Sequence, residues 1–175
     1  MHRKLFKVCM IGDFAVGKTS LVQRFMYNEF RMDYQATIGV NISKKEVIHP
    51  SLPAGRITLI IWDLAGGEPF TPVVEAYYRG AMGALFVADV TRPSTVEHLA
   101  TYIRDFRSVS PHAQGLILLN KIDLLSSSPT SVDELKAVAE SFGMPVYLTS
   151  ARTGQNVEEA FTALGHRLVE QGAYE

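Results

Sequence analysis

Apolar runs that are continuous rather than alternating place the strongest constraint on how this chain folds. Segments with a helical repeat of apolar residues separate most of these runs. A strand that is apolar on both faces is buried on both faces, which is typical of a mainly parallel sheet with helices on each side. The chain is therefore predicted to adopt an α/β fold. The predicted strands are Leu5–Gly12, Ile57–Asp63, Ala84–Asp89, Leu116–Asn120 and Val146–Thr149, and the predicted helices are Lys18–Tyr27, Val73–Tyr78, Thr95–Ser108, Val132–Phe142 and Val157–Val169.

The segment Val40–His49 differs from the other strands because its apolar residues alternate more with polar ones. A turn rich in Pro and Gly joins it to Ile57–Asp63, so the two segments are predicted to pair as a hairpin at the sheet edge. Helix starts are also signalled locally. Ser94 and Ser131 each precede a helical run with a glutamate three positions later, and both are predicted to form capping boxes.

Length, charge and cysteine content limit the function classes. The 175 residues are expected to form one domain over 1–175, with its core at about 5–170. A net charge of −1 provides no broad attraction to nucleic acid, so no nucleic-acid partner is expected. The lone cysteine, Cys9, lies in an apolar run and is predicted to be a small buried hydrophobe in a protein of a reducing compartment.

Membrane-directing signals are not found in the sequence. No apolar stretch approaches the roughly 18 residues that span a bilayer, and residues 1–175 contain neither a signal peptide nor a lipidation motif. We therefore expect no direct membrane anchor in this chain. A cytoplasmic location is expected, or the cytosolic face of membranes if a lipidated tail is missing.

The stretch Gly12–Thr19 reads GDFAVGKT and fits the pattern G-x-x-x-x-G-K-[ST] between a predicted strand and a predicted helix. Glycines let such a loop wrap closely around a phosphate, with successive N–H groups pointing inward. Lys18 then places a cation against the β- and γ-phosphates, and Thr19 offers a hydroxyl to Mg²⁺. The predicted nucleotide-binding residues of this phosphate loop and the helix start after it are Phe14, Ala15, Val16, Gly17, Lys18, Thr19 and Ser20.

Further polar segments follow predicted strands, at the sheet edge where ligands bind in such folds. Asp63 is the expected carboxylate for the metal ion. Asp123 ends the run NKID, and its carboxylate accepts hydrogen bonds in the pattern that a guanine N1–H and exocyclic amine donate. An ATP-using protein with the same loop is the alternative, which Asp123 disfavours. The predicted base-binding residues are Asn120, Lys121 and Asp123, together with Ser150, Ala151 and Arg152, whose loop can present a backbone N–H to guanine O6.

With these motifs in this order and spacing, the chain resembles a small GTPase of the Ras superfamily, and most closely the Rab branch, with a prokaryotic Rab-like form as one alternative. The resemblance runs from about residue 5 to 168 and rests on GDFAVGKTSLVQRF, YQATIGV, IIWD, EAYYRGAMGALFVADVT, NKIDL and TSA. It implies a P-loop G domain with a six-stranded, mainly parallel sheet and one antiparallel edge strand. It also implies a monomeric GTP/GDP switch that uses Mg²⁺ and hydrolyses GTP to GDP and phosphate.

The resemblance assigns further roles to individual residues. Thr37 resembles the switch I threonine that binds Mg²⁺ and the γ-phosphate, and Gly66 resembles the switch II glycine whose N–H binds the same phosphate. Phe30 resembles the aromatic residue beside the guanine, and Tyr34 the tyrosine that closes over the phosphates. The implied metal ligands are Thr19, Thr37 and Asp63, and the implied catalytic residues are Lys18, Thr37 and Gly66.

The sequence departs from the family pattern in two places. Gly67 stands where the family carries the glutamine that orients the attacking water, and Phe14 stands where most members have a small residue. A phenyl ring there is expected to crowd the γ-phosphate and an incoming arginine. The alternative is that Phe14 points outward and Gly67 only adds flexibility. Slow intrinsic hydrolysis is expected, with a binding module held in the GTP state as the alternative function.

The resemblance also implies protein partners in vesicle trafficking. Effectors, exchange factors and GTPase-activating proteins are expected to bind through Phe30–Ile42, Trp62 and Gly66–Tyr77. An activating protein is expected to be able to supply a glutamine and an arginine. Trp62 and Tyr77 match two of the three apolar residues with which Rab proteins shape effector binding, whereas Ile42 replaces the usual phenylalanine of the third.

Overall fold

A computed structural model describes residues 4–33, 35–49 and 55–172 of the chain. Its strands are β1 (Leu5–Gly12), β2 (Val40–Ile48), β3 (Arg56–Leu64), β4 (Gly83–Asp89), β5 (Gln114–Asn120) and β6 (Val146–Leu148). Its helices are α1 (Lys18–Tyr27), α2 (Pro72–Tyr78), α3 (Ser94–Glu97), α4 (Leu99–Val109), α5 (Val132–Glu140) and α6 (Val157–Gly172), and Ile122–Ser127 forms a 3₁₀ helix.

The strands form one six-stranded sheet in the order β2-β3-β1-β4-β5-β6. Every neighbouring pair is parallel except β2 and β3, which pair antiparallel at one edge. The predicted α/β fold and its hairpin are therefore confirmed, while the predicted turn lies in part at residues 50–54, outside the described residues. Parallel pairing brings the carboxyl ends of β1, β3, β4 and β5 to the same edge of the sheet.

Two apolar clusters cover the two faces of this sheet. Successive residues of β1 alternate between them, because side chains of a strand point to opposite faces: Val8 and Met10 belong to one cluster, Cys9 and Ile11 to the other. On the first face the ring of Phe25 in α1 stacks on the ring of Phe161 in α6, and the ring centroids lie 4.1 Å apart. Cys9 is fully buried, as its apolar surroundings predicted.

The helix starts agree only in part with the predicted capping boxes. Ser131 caps α5, because its hydroxyl accepts a hydrogen bond from the backbone N–H of Glu134 at 3.2 Å. The prediction for Ser94 is wrong: Ser94 is the first residue inside α3 and Pro93 occupies the cap position without a side-chain bond. The single helix predicted over 95–108 is also interrupted, because α3 ends before His98 and α4 begins after it.

Within the described ranges, none of the helices combines the length and the apolar character that crossing a bilayer requires.

Candidate functional site

The phosphate loop, Gly12–Thr19, turns back from β1 into α1 and encloses the amino group of Lys18. The Lys18 side chain is buried, and its Nζ donates to the carbonyl oxygens of Gly12 at 3.0 Å and Asp13 at 2.7 Å. Burial lowers the pKa of Lys18 to about 8, although the carboxylates of Asp63 and Asp13 raise it. A buried ammonium with so little water is stabilised by an anion, so the loop is built to receive phosphate.

Gly17 shows why this loop requires glycine. Its φ of 102° is left-handed, and a Cβ at this position would lie 2.3 Å from Nδ2 of Asn120. Asn120 is buried, and that same Nδ2 donates to the backbone carbonyl of Val16 at 3.0 Å. Val16 thus contributes its main chain to the loop while its side chain lies in the core. The phosphate loop and the NKID segment therefore form one hydrogen-bonded unit.

Three oxygen-bearing side chains meet beside the loop. The Thr19 hydroxyl donates to Oδ2 of Asp63 at 2.6 Å and lies 2.6 Å from the hydroxyl oxygen of Thr37. Asp63 is buried, and its Oδ1 has no hydrogen-bond partner among the described residues. Burial raises the pKa of Asp63, while the Thr19 hydrogen bond and the charge of Lys18 lower it. The predicted metal-binding residues are thus brought together.

These oxygens fit Mg²⁺. A buried carboxylate oxygen without a partner is costly, and a hard cation satisfies such an atom with the oxygen ligands that it prefers. The described residues contain no group of three or more His, Cys, Asp or Glu side chains that could hold a metal. That finding is compatible with Mg²⁺, because this ion is usually held by one or two carboxylates together with phosphate oxygens and water.

A cleft of about 330 Å³ opens on the other side of the loop. Nine of the predicted nucleotide-binding residues line it: Ala15, Gly17 and Ser20 of the phosphate-loop group, Phe30, and Asn120, Lys121, Asp123, Ala151 and Arg152 of the base-binding group. Arg31, Met32 and Leu124, which the sequence did not assign to nucleotide binding, line it as well. Phe30 also packs against the first apolar cluster. The walls are therefore mainly apolar surface with a few polar groups, as in a site for a flat heterocycle.

Polar groups of this cleft are held by hydrogen bonds between loops that are distant in sequence. The Ser150 hydroxyl donates to Oδ1 of Asp123 at 2.7 Å, and the N–H of Ala151 donates to Oδ1 of Asn120 at 3.3 Å. Lys121 donates through Nζ to the carbonyl of Ala15 at 2.7 Å. The NKID segment and the TSAR segment, Thr149–Arg152, thus form one rim, and both Asp123 and Ala151 line the cleft.

The segment after β3 packs directly against the phosphate loop. A Cβ at Gly66 would lie 2.6 Å from the carbonyl oxygen of Asp13 and from the backbone N of Phe14, so only glycine allows this approach. Gly67 has a φ of 69°, and its N–H donates to the carbonyl of Gly12 at 3.4 Å. The half-exposed side chain of Phe14 lies beside it, 3.8 Å from where a Cβ at Gly67 would stand. The two departures from the family pattern are thus neighbours.

Several residues around the loop were not found by sequence reasoning. Arg92 donates through Nη2 to the carbonyl of Phe14 at 2.7 Å, and the Asp89 carboxylate accepts from Arg92 at 3.3 Å and from Lys121 at 2.8 Å. Asp89 ends β4 directly opposite Asn120 in the sheet register. The rule that polar side chains at the carboxyl ends of parallel strands face ligands would have identified Asp89 had it been applied to β4. No sequence signal marks Arg92.

A second unforeseen contact ties the loop to α4. One carboxylate oxygen of Asp13 lies 2.6 Å from Nδ1 of His98, and the other accepts from the Tyr102 hydroxyl at 2.7 Å. Burial raises the pKa of Tyr102, and the hydrogen bond to the Asp13 carboxylate adds to that effect. Asp13 therefore holds the phosphate loop against a helix. Tyr34, the remaining predicted nucleotide-binding residue, lies outside the described residues.

Comparison with known proteins decides the family, because the sequence matches the Ras family over residues 7–170. The chain belongs to the Ras family. Ras-related protein RABA6b of Arabidopsis thaliana is 41% identical over 167 residues, which cover 95% of this chain and 72% of that protein. Ras-related protein YPT3 of Nicotiana plumbaginifolia is 41% identical over 159 residues, 90% of this chain and 72% of that one.

GTP-binding protein ypt3 of Schizosaccharomyces pombe is 38% identical over 161 residues, 90% of this chain and 72% of that protein. The chain is therefore a Rab-like small GTPase of the Ras superfamily, and the predicted resemblance is confirmed. As a member of this family it is a small GTP-binding switch protein.

The surface predicted for partner binding contains a group of apolar side chains, one exposed and two partly buried. Ile42 on β2 stands directly opposite Trp62 on β3, and Ile42 is largely exposed. The ring of Trp62 lies 6.2 Å from that of Tyr77 in α2, while the ammonium of Lys7 lies 3.8 Å from the Trp62 centroid. The three residues that the sequence assigned to effector binding thus lie close together. An apolar surface of this kind is typical of a protein contact.

Proposed function

We propose that this chain binds GTP and GDP together with Mg²⁺ and hydrolyses GTP slowly. The segments around Thr37 and Gly66 change conformation with the bound nucleotide. The observation that carries the proposal is the cluster of Thr19, Thr37 and Asp63, in which one buried carboxylate oxygen has no partner. Thr37 belongs to the segment between α1 and β2, so a ligand held by this cluster also holds that segment. Losing the γ-phosphate then releases it.

The residues of the chain supply most of what phosphoryl transfer to water requires. Lys18 stabilises the charge on the transferred phosphate, because its ammonium is buried and preorganised by two loop carbonyls. The N–H of Gly66, which packs on the loop, serves the same γ-phosphate, and Thr37 closes the opposite side. When bound, Mg²⁺ neutralises charge on the phosphate oxygens. The attacking water is left without an orienting side chain, since Gly67 has none.

The missing water-orienting group is the reason for the slow rate. Losing such a group costs on the order of 1.5–4 kcal/mol in the transition state, which corresponds to roughly ten- to a thousandfold in rate. Single-turnover release of phosphate from preloaded GTP tests this for the wild type and for Gly67→Gln. We expect Gly67→Gln to hydrolyse faster, even though glutamine at a φ of 69° costs about 1 kcal/mol of stability. A rapid wild-type reaction would refute slow hydrolysis.

A binding module held in the GTP state is the second candidate. The observation that favours it is that Cβ of Phe14 lies 3.8 Å from where a Cβ at Gly67 would stand, so the half-exposed phenyl ring is expected to crowd the γ-phosphate side. This candidate would be favoured if Gly67→Gln hydrolyses GTP no faster than the wild type, while the double variant Phe14→Gly with Gly67→Gln does. Faster hydrolysis in Gly67→Gln alone would favour the first candidate, an enzyme with impaired hydrolysis.

Nucleotide binding itself is tested separately from hydrolysis. A fluorescent GDP analogue is bound in buffer containing Mg²⁺ and competed with unlabelled GDP and ADP. GDP is expected to displace the probe and ADP is not, because Asp123 accepts from donors that adenine lacks. Failure of the purified chain to bind the GDP analogue would reject the whole proposal.

We further infer which surface binds protein partners and where in the cell the chain acts. Effectors, exchange factors and activating proteins bind through Phe30–Ile42, Trp62 and Gly66–Tyr77, and the chain acts in vesicle trafficking in the cytosol or at the cytosolic face of membranes. The apolar group of Ile42, Trp62 and Tyr77 supports this. An Ile42→Asp variant that still binds GDP but recovers every nucleotide-dependent partner in an affinity pull-down would contradict the assignment of this surface.

A further inference from the structure

Arg24 joins the end of α1 to the TSAR loop at the rim of the base cleft. Its Nε donates to the carbonyl oxygen of Ala151 at 2.8 Å, and its Nη2 donates to the carbonyl oxygen of Arg152 at 2.5 Å. Its Nη1 donates to the backbone carbonyl and the side chain of Asn28, at 3.1 and 3.2 Å. One guanidinium therefore bridges two segments that are more than a hundred residues apart in the sequence.

The planar shape of this group is what makes the contact specific. A guanidinium presents its donors in a rigid fork, so two adjacent carbonyls that it binds are fixed in direction as well as in distance. Fixing the carbonyls of Ala151 and Arg152 fixes the two peptide planes that follow Ala151, and with them the path of the loop beyond this residue. The backbone N–H of Ala151 lies in the preceding plane, which it shares with the carbonyl of Ser150, and has only a long hydrogen bond, 3.3 Å to Oδ1 of Asn120.

The loop is shaped to accept the arginine. Gly154 has a φ of 86°, and a Cβ there would lie 3.6 Å from Cδ of Arg24, so the chain turns closely over the arginine stem. The N–H of Gly154 donates to the carbonyl of Ser150 at 2.8 Å and closes the turn. Arg24 thus fills the concave side of the TSAR loop, while the other side of the loop faces the base cleft.

We propose that Arg24 is a positioning residue for guanine recognition: its fork holds the TSAR loop so that the Ala151 N–H faces the O6 atom of the base. The inference rests on the proposed function, because it requires that guanine occupies the cleft. It adds a specificity residue that does not line the cleft. Asp123 and Arg24 then act on different atoms of the base, the first on the N1–H and exocyclic amine and the second, through Ala151, on O6.

Base analogues separate this role from a general loss of structure. The affinities of GDP, 6-thio-GDP and IDP are measured in Mg²⁺ buffer for wild type, Arg24→Ala and Arg24→Lys. Sulfur is a weaker acceptor than O6, so 6-thio-GDP reports on the Ala151 N–H. IDP lacks the exocyclic amine and reports on Asp123. The matched control is Arg104→Ala, an exposed helix arginine whose hydrogen bonds go to its neighbour Asp105.

In Arg24→Ala we expect the affinity for GDP to fall about tenfold, and the ratio of GDP affinity to 6-thio-GDP affinity to fall about threefold or more. The ratio of GDP affinity to IDP affinity is expected to change less. Arg24→Lys keeps the charge but cannot bind both carbonyls in a fork, so its values are expected to lie between those of wild type and Arg24→Ala. Arg104→Ala is expected to match the wild type.

Two results would overturn the inference. In one, all three nucleotides weaken equally in Arg24→Ala, which makes the arginine a general structural contact. In the other, the ratios of GDP affinity to 6-thio-GDP affinity and to IDP affinity fall to the same extent, which shows that the whole rim has become less ordered and that the effect is not limited to the Ala151 N–H. If the wild type does not bind GDP, the proposed function itself fails, and that outcome is distinct from either of these.

Discussion

The hydroxyl oxygens of Thr19 and Thr37 lie 2.6 Å apart, although Thr19 opens α1 and Thr37 lies in the segment that leads to β2. Oδ2 of Asp63 accepts a hydrogen bond from the Thr19 hydroxyl at 2.6 Å, so all three side chains converge on one small volume. A cation in that volume would contact a helix start, a strand end and a loop at the same time. The loop is the member of the three without regular structure, so it is the one whose position depends most on the ligand.

Thr37→Ala is therefore predicted to affect GTP more than GDP. Removing the hydroxyl deletes a contact that the γ-phosphate form uses, so the ratio of GTP to GDP affinity is expected to fall by about tenfold. Competition of each nucleotide against fluorescent GDP measures that ratio. Thr101→Ala, an exposed threonine on α4, is the matched control. An equal loss for both nucleotides in Thr37→Ala would contradict a role in the switch.

Removal of Mg²⁺ is predicted to speed GDP release from the wild type, and Asp63→Ala is predicted to abolish most of that difference. The buried carboxylate with its unpartnered Oδ1 is the strongest metal-binding group of the described site. Stopped-flow release of fluorescent GDP, with and without EDTA, gives the metal dependence. We expect Asp63→Ala to release GDP about ten- to a hundredfold faster in Mg²⁺. If EDTA speeds GDP release from Asp63→Ala as much as from the wild type, Asp63 does not bind the metal ion.

Gly17→Ala is predicted to destabilise the protein more than Gly80→Ala. Both glycines have a positive φ, 102° and 77°, so both variants pay the backbone cost of about 1 kcal/mol. Only at Gly17 does the new methyl group meet another atom, Nδ2 of Asn120 at 2.3 Å, whereas nothing lies within 4 Å at Gly80. Urea unfolding is expected to show a loss of about 2–4 kcal/mol for Gly17→Ala. Equal losses would show that Asn120 moves aside.

The sequence predicted the elements whose signal is local and repeated. The helix bounds 18–27 agree with α1, because the motif that ends in Lys18-Thr19 fixes the start and Asn28 ends the helix in a left-handed conformation. The strands of the parallel sheet were recognised because burial on both faces leaves few polar residues within them. The cluster of Thr19, Thr37 and Asp63 followed from motif and resemblance.

Contacts between side chains and distant backbone carbonyls were not predictable. Arg24 and Arg92 both bind such carbonyls, at 2.8 Å and 2.7 Å, and a carbonyl is present at every position of the chain. No residue type marks the partner, so the sequence contains no pattern to read. The interruption at His98 was also missed, because no Gly or Pro lies within the predicted helix 95–108 to mark it.

Asp89 links the two halves of the site, because its carboxylate accepts from Lys121 of the NKID segment and from Arg92 beside the phosphate loop. Burial alone raises the pKa of Asp89, but the hydrogen bonds from Lys121 and Thr91 outweigh that effect and lower the pKa below its ordinary value. A lowered pKa in the folded state means that the folded state favours the ionised carboxylate. Stability from this group is therefore present above the unfolded-state pKa and is lost as the pH falls through the folded-state pKa.

Asp89→Asn is predicted to be less stable than the wild type at pH 7, by about 1–3 kcal/mol, because Lys121 and Arg92 then lack their shared counter-charge. The difference in stability is expected to narrow as the pH falls below about 4, the ordinary pKa of Asp, and to close as the pH passes the lower folded-state pKa, where the wild-type carboxyl group also becomes neutral. Urea unfolding of both proteins between pH 7 and pH 3 measures the gap. Glu170→Gln, an exposed carboxylate on α6, is the control and is expected to show no comparable gap. If the difference in the free energy of unfolding between wild type and Asp89→Asn stays constant with pH, the lost stability comes from packing, and the charge of Asp89 does not stabilise the fold.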